Sequence, residues 1–96
     1  MQLIQFTSAA LTAIEHYKAT LQIPADHYLR VGIRQKNETN KRLLIAFDAK
    51  TDKDKLEEVQ GEQIIYHPGE IFFFAGMQID YVEEEGRKGF TFVEKK

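Results

Sequence analysis

The chain has 96 residues, a length at which a domain buries roughly 60 to 65% of the surface its unfolded chain exposes, so one core and no second domain is expected over residues 1–96. Lysine and arginine number 13 against 15 acidic residues, a formal charge of −2 with neither sign gathered into a long block, which is a poor footprint for DNA or RNA. There is no cysteine, and that removes disulfides, thiolate zinc sites, thiol nucleophiles and the usual ligands of iron–sulfur clusters in one step.

No stretch approaches the roughly 18 consecutive apolar residues of a membrane span. The N-terminus lacks the basic region and long apolar core of a signal peptide. These features predict a soluble, cytoplasmic domain with neither a membrane nor a nucleic-acid partner.

Leu3-Ile4-Gln5-Phe6 reads as a short extended segment, after which Thr7 or Ser8 offers a side-chain oxygen to cap a helix. Leu11, Ile14, Tyr17 and Leu21 recur at helical spacing and predict one buried face, and Pro24 stops the helix. From Tyr28 to Gln35 the period becomes two, with Leu29, Val31 and Ile33 on one side and Arg30, Gly32 and Arg34 on the other. The polar run Lys36 to Asn40 follows, and Leu43, Ile45 and Phe47 resume the alternation, which predicts an antiparallel hairpin with an exposed loop.

Asp48 to Glu58 is charged and mixed in sign, which suits a surface loop or a single helical turn. Gln63-Ile64-Ile65-Tyr66 is β-branched and aromatic, and His67-Pro68-Gly69 punctuates its end. Ile71 to Phe74 leads through Ala75-Gly76 to a strand containing Met77, Ile79 and Tyr81. Glu83 to Gly89 forms a solvated turn before Phe90-Thr91-Phe92-Val93. Several short strands and one N-terminal helix predict an α+β domain with a mixed or largely antiparallel sheet.

Taken in order, Ile4-x-Phe6-Thr7-x-x-Ala10, Leu29-Arg30-Val31-Gly32-Ile33, Gly76-x-x-Ile79-Asp80-Tyr81 and Gly89-Phe90-x-Phe92 resemble the HesB/IscA family of A-type iron–sulfur carriers across nearly the whole chain. The resemblance implies a compact short-stranded fold with one N-terminal helix, often dimeric. Its cluster ligands are one cysteine in the loop after the first long strand and two in a Cys-Gly-Cys tail. Counted without gaps from Leu29-Arg30-Val31-Gly32, the loop cysteine position falls at Glu38, the flanking glycines are replaced by Lys36, Asn37 and Asn40, and no Cys-Gly-Cys follows Phe92. No cofactor is therefore expected.

Glu38 is the residue at a family ligand position that can still bind metal, since a carboxylate is a hard donor suited to magnesium, manganese or ferric iron. Its bland alternative is a charged residue on a solvated loop. His16, His27 and His67 are scattered and lack the close spacing that brings two ligands onto one ion. Glu83, Glu84 and Glu85 have no calcium-loop pattern around them.

Phe72, Phe73 and Phe74 form the candidate interface. Three consecutive rings cannot share one face of a strand, and on a helix they fan over about 200 degrees. They require either a core wrapped around the segment or a homodimer or partner surface.

The residues together predict a non-enzymatic, cysteine-free HesB/IscA-like domain, retained for self-association or for binding a partner protein in an accessory role beside iron–sulfur biogenesis. The alternative is a weak metal or small-molecule binder using the Gln35 to Asn40 loop. Neither catalytic nor cofactor-binding residues are assigned, because no acid, base and nucleophile constellation can be named.

Overall fold

The computed structural model describes residues 3–35 and 41–94. Two sheets are built from β1 (Ile4–Phe6), β2 (His27–Gln35), β3 (Lys41–Ala49), β4 (Lys55–Val59), β5 (Glu62–Tyr66), β6 (Met77–Glu84) and β7 (Arg87–Glu94). The helix α1 spans Ser8–Leu21, and a one-turn helix α2 (Ile71–Phe74) follows a 3-10 turn at Pro68–Glu70. One sheet has the order β1-β6-β7 and the other β3-β2-β5-β4. The mixed α+β architecture is the one the short-stranded sequence predicts.

Thr7 starts α1: its hydroxyl oxygen accepts from the N–H of Ala10 at 3.1 Å and donates to Asp80 on β6 at 2.7 Å, so the cap also ties the helix to the sheet. The helix buries Ala10, Ala13 and Ile14, with Leu11 and Tyr17 partly covered. Leu21, expected on the same face, is 59% exposed. The helix ends there, with Gln22 in the left-handed conformation donating its N–H to Lys18, so the last turn has no sheet beneath it.

The β2–β3 hairpin is antiparallel and in register from His27 opposite Ala49 to Gln35 opposite Lys41. Residues 48–58, expected as a loop or helical turn, instead contain the end of β3 and all of β4 but its last residue, paired antiparallel with β5. Lys55, Leu56, Glu57 and Glu58 are all exposed. An outer strand satisfies its backbone on one side only and is commonly covered with charge, which hides it from any reading based on hydrophobic alternation. Gln60 and Gly61 join β4 to β5 with φ of 51° and 87°, and Glu85 and Gly86 join β6 to β7 with φ of 48° and 80°. These are the two-residue turns with both central residues left-handed that match strand twist.

One core lies between the sheets and under α1: Ile4, Phe6 and Ile79 from the first sheet, Leu29, Val31, Ile64 and Tyr66 from the second, Ala10 and Ile14 from the helix, and Phe74 from α2. Ile65 is also fully buried but alternates to the far face of its sheet, opposite Arg30 and Leu56. The stretch joining β3 to β4 has to pass from one edge of that sheet to the other, and Arg30 fastens it there. Its guanidinium donates to Asp48 at 2.8 Å, to both oxygens of Asp54 at 2.8 and 2.6 Å, and to the C=O of Ala49 at 3.3 Å. Asp54 in turn accepts from the N–H and hydroxyl of Thr51. The charge on Asp54 is therefore paired and fully hydrogen-bonded, as a buried carboxylate requires.

Candidate functional site

The aromatic run sits on the segment between β5 and β6. His67 Nδ1 accepts from the N–H of Gly69 at 3.0 Å, so the His67-Pro68-Gly69 turn starts the 3-10 turn that leads into α2. Glu70 then reaches back to β2. Its Oε1 accepts from the N–H of Ile33 at 3.3 Å, taking the place of the ladder partner that β5, which pairs with β2 only at Leu29 and Arg30, does not supply. A Cβ on Gly32 would stand 2.7 Å from that oxygen, so glycine makes room for the contact.

At about 100° per residue, a helical turn sends three consecutive rings in three directions. Phe74 is fully buried, edge-on to Tyr66 with centroids 5.8 Å apart. Phe73 is 38% exposed and Phe72 is 92% exposed. The three-residue interface expected from sequence is thereby corrected: Phe74 belongs to the core, and Phe72 with part of Phe73 forms the surface feature. Between Gln63 and Ile79 the chain has one charged residue, Glu70, and its carboxylate is occupied at β2. Phe72 thus projects from a segment with no other charge of its own.

Glu38 lies outside the described residues, as does most of the Gln35 to Asn40 loop. Among the described residues no three histidine or carboxylate side chains are grouped to hold a metal ion. His16 is on α1, His27 opens β2 and His67 caps the 3-10 turn, so the fold does not bring the three together. No helix among the described residues is long and apolar enough to cross a membrane.

A second feature escaped the sequence. Between α1 and the β6–β7 hairpin lies an open groove of about 490 Å³ whose lining includes Thr12, His16, Tyr17, Tyr81, Glu83 and Lys88. Tyr17 and Tyr81 share a hydrogen bond of 2.8 Å between their hydroxyls, and that bond, with burial, pushes the Tyr81 phenol up to about 12. Phe90 packs on both rings. Glu83 and Lys88, opposite each other on β6 and β7, form an ion pair of 3.3 Å at the rim. Tyr17 and Tyr81 are legible separately as members of a helix stripe and a strand, but their meeting is a tertiary fact.

Lys18 is the other charged junction. It bridges Glu15 on its own helix and Glu62 on β5. Burial pushes the Glu62 carboxyl up, as does its hydrogen bond with Glu15, against the pull of Lys18. This is a tie between α1 and the second sheet.

No protein-family model and no curated protein matches the chain by sequence. Solved structures do match its fold. Escherichia coli SufA, described as involved in the biosynthesis of iron–sulfur clusters, aligns at 22% identity with a TM-score of 0.71, covering 95% of this chain and 84% of SufA. IscA, solved with a [2Fe-2S] cluster, aligns at 22% identity with a TM-score of 0.70, covering 95% of this chain and 81% of IscA. The chain has a HesB/IscA-like fold, held over nearly its whole length and without a cysteine.

Proposed function

We propose that this protein is a non-enzymatic, cysteine-free version of the SufA and IscA scaffold, working in the cytoplasm as an accessory factor that binds a partner protein beside iron–sulfur biogenesis. The observation that carries this reading is the coincidence of a fold matched over 95% of the chain with a cysteine count of zero. A biological cluster is held by about four ligands, normally thiolates, and two copies of this chain supply none. What the scaffold can still offer is shape and surface, and Phe72 is the residue that best fits a docking role. A fully exposed Phe side chain forgoes roughly 1.5 to 3 kcal/mol of burial that a partner surface can recover.

Two measurements test this. Incubated anaerobically with iron and sulfide, the purified protein should stay colourless, and a stable cluster absorption band with stoichiometric iron would overturn the reading. Affinity capture from its own cytoplasm should yield a partner with the wild type and lose it with Phe72→Lys, while a surface variant on α1, Thr12→Lys, retains it.

A further inference from the structure

The groove between α1 and the β6–β7 hairpin has no part in the partner-binding reading. At about 490 Å³ it falls within the range of small-molecule sites. Ala9 and Ala13 line it from α1, four residues apart and so on one helix face, which leaves room above the helix. The wall is aromatic: Tyr17 and Tyr81 line it, and the His16 ring stands edge to face against Tyr17 with centroids 5.8 Å apart. A flat apolar body fits between such surfaces.

Two polar features border this space and fix the chemistry it accepts. The Tyr17 and Tyr81 hydroxyls, bonded to each other, spend one of their two protons, so the pair keeps one O–H to donate and free lone pairs to accept. Glu83 and Lys88 set a carboxylate and an ammonium 3.3 Å apart, both more than half exposed. A ligand of either net charge meets one attractive and one repulsive group at nearly the same distance and gains little. A dipolar head gains from both when its ammonium faces Glu83 and its carboxylate faces Lys88, and an α-amino acid carries those two charges on one carbon. Glu83 lies two residues beyond Tyr81 on the same face of β6, and Lys88 holds the matching place beside Phe90 on β7, so the charge pair stands about 7 Å along the strands from the tyrosine pair. That is the reach from the α-carbon of an aromatic amino acid to the far edge of its ring.

We infer that the groove binds a free aromatic amino acid with a polar ring edge, of the tryptophan or tyrosine kind. The zwitterionic head pairs with Glu83 and Lys88, the ring lies over Ala9 and Ala13 against Tyr17, and the indole N–H or phenol O–H bonds to the tyrosine hydroxyls. A peptide end carries only one of the two head charges and is disfavoured. This inference does not rest on the iron–sulfur reading.

The chain has no tryptophan, so the indole fluorescence of an added ligand reports binding without background. Titrated with the protein, the anisotropy of L-tryptophan should rise towards a plateau with a Kd of about 1 mM, the weak affinity expected of so small a ligand in an open groove. N-acetyl-L-tryptophan, which lacks the ammonium, and L-tryptophanamide, which lacks the carboxylate, should each bind about three- to fivefold more weakly, the worth of one exposed charge pair. In Glu83→Gln the N-acetyl compound should lose that disadvantage, and in Lys88→Gln the amide should lose it, whereas a purely structural role for the ion pair would weaken all three probes alike. Ala9→Phe, at an exposed helix position, should fill the groove and abolish binding with circular dichroism unchanged. Phe72→Lys should bind as the wild type does, which separates this result from partner capture. No rise in anisotropy at millimolar protein, equal affinities for the three probes, or binding that survives Ala9→Phe would each overturn the inference.

Discussion

Gln60 completes the edge of a sheet to which it does not belong: its side-chain amide accepts from the N–H of Phe6 at 2.6 Å and donates to the C=O of Phe6 at 3.0 Å. Phe6 is a β1 residue whose backbone faces away from β6, since the next residue, Thr7, donates inward to Ile79. One side chain from the β4–β5 turn thus stands in for a strand and locks the two sheets together. Gln60→Gly isolates this effect, because glycine accepts the φ of 51° without strain. Losing two hydrogen bonds should lower the unfolding free energy by about 1 to 2 kcal/mol in urea titration. A neutral result would mean that water replaces the amide without loss.

Gly32 and Glu70 should behave as a coupled pair. A Cβ at residue 32 meets the far end of the Glu70 side chain at 2.7 Å, so the carboxylate must swing away and release the N–H of Ile33. Gly32→Ala is expected to cost about 1 kcal/mol, and most of that cost should vanish in a Glu70→Ala background. The double-mutant cycle reads the coupling directly. Additive losses would place the strain elsewhere.

The Arg30 guanidinium beside Asp54 holds its carboxyl well below the usual carboxylate range. A carboxyl lowered by folding contributes stability that is whole above its unfolded value near 3.8 and is lost as pH falls through the folded value. Unfolding free energy should therefore fall steeply below about pH 4. Asp54→Asn should cost about 1.5 to 3 kcal/mol at neutral pH, because Arg30 keeps Asp48 and the Ala49 carbonyl but loses its two-pronged carboxylate partner, and its deficit relative to the wild type should narrow as the pH is lowered. A deficit that stays constant with pH would show that the cost comes from the rearranged hydrogen bonds to Thr51 rather than from charge.

Much of this architecture is legible in the sequence where one physical signal acts alone. The period of two in Leu29 and Val31 marks a strand because both bury, and Thr7 marks a helix start because its oxygen is placed to receive the N–H of Ala10. β4 is not legible, since its outer-edge position selects for Lys55, Glu57 and Glu58, and the ladder to β5 that makes it a strand leaves no periodic trace. Leu21 misleads for the opposite reason: it keeps helical spacing past the point where a sheet lies beneath. At the candidate site, the composition of Phe72, Phe73 and Phe74 announces a conflict. Only the short helix, set by the His67 cap and the hold of Glu70 on β2, decides which ring turns outward.

That decision makes a graded prediction for the three rings. Phe72, 92% exposed, loses nothing by becoming lysine in the free protein, and Phe72→Lys should stay within about 0.5 kcal/mol of the wild type. Phe74 lies against Tyr66 at the centre of the core, where even Phe74→Ala should cost about 3 to 5 kcal/mol and Phe74→Lys should abolish folding. Phe73, at 38% exposure, should fall between them. Chemical denaturation of the three lysine variants gives the order. If Phe72→Lys destabilises as much as Phe73→Lys, the ring is packed in solution and cannot serve as a free docking residue, whereas a stable Phe72→Lys that loses its captured partner assigns the exposed ring to recognition.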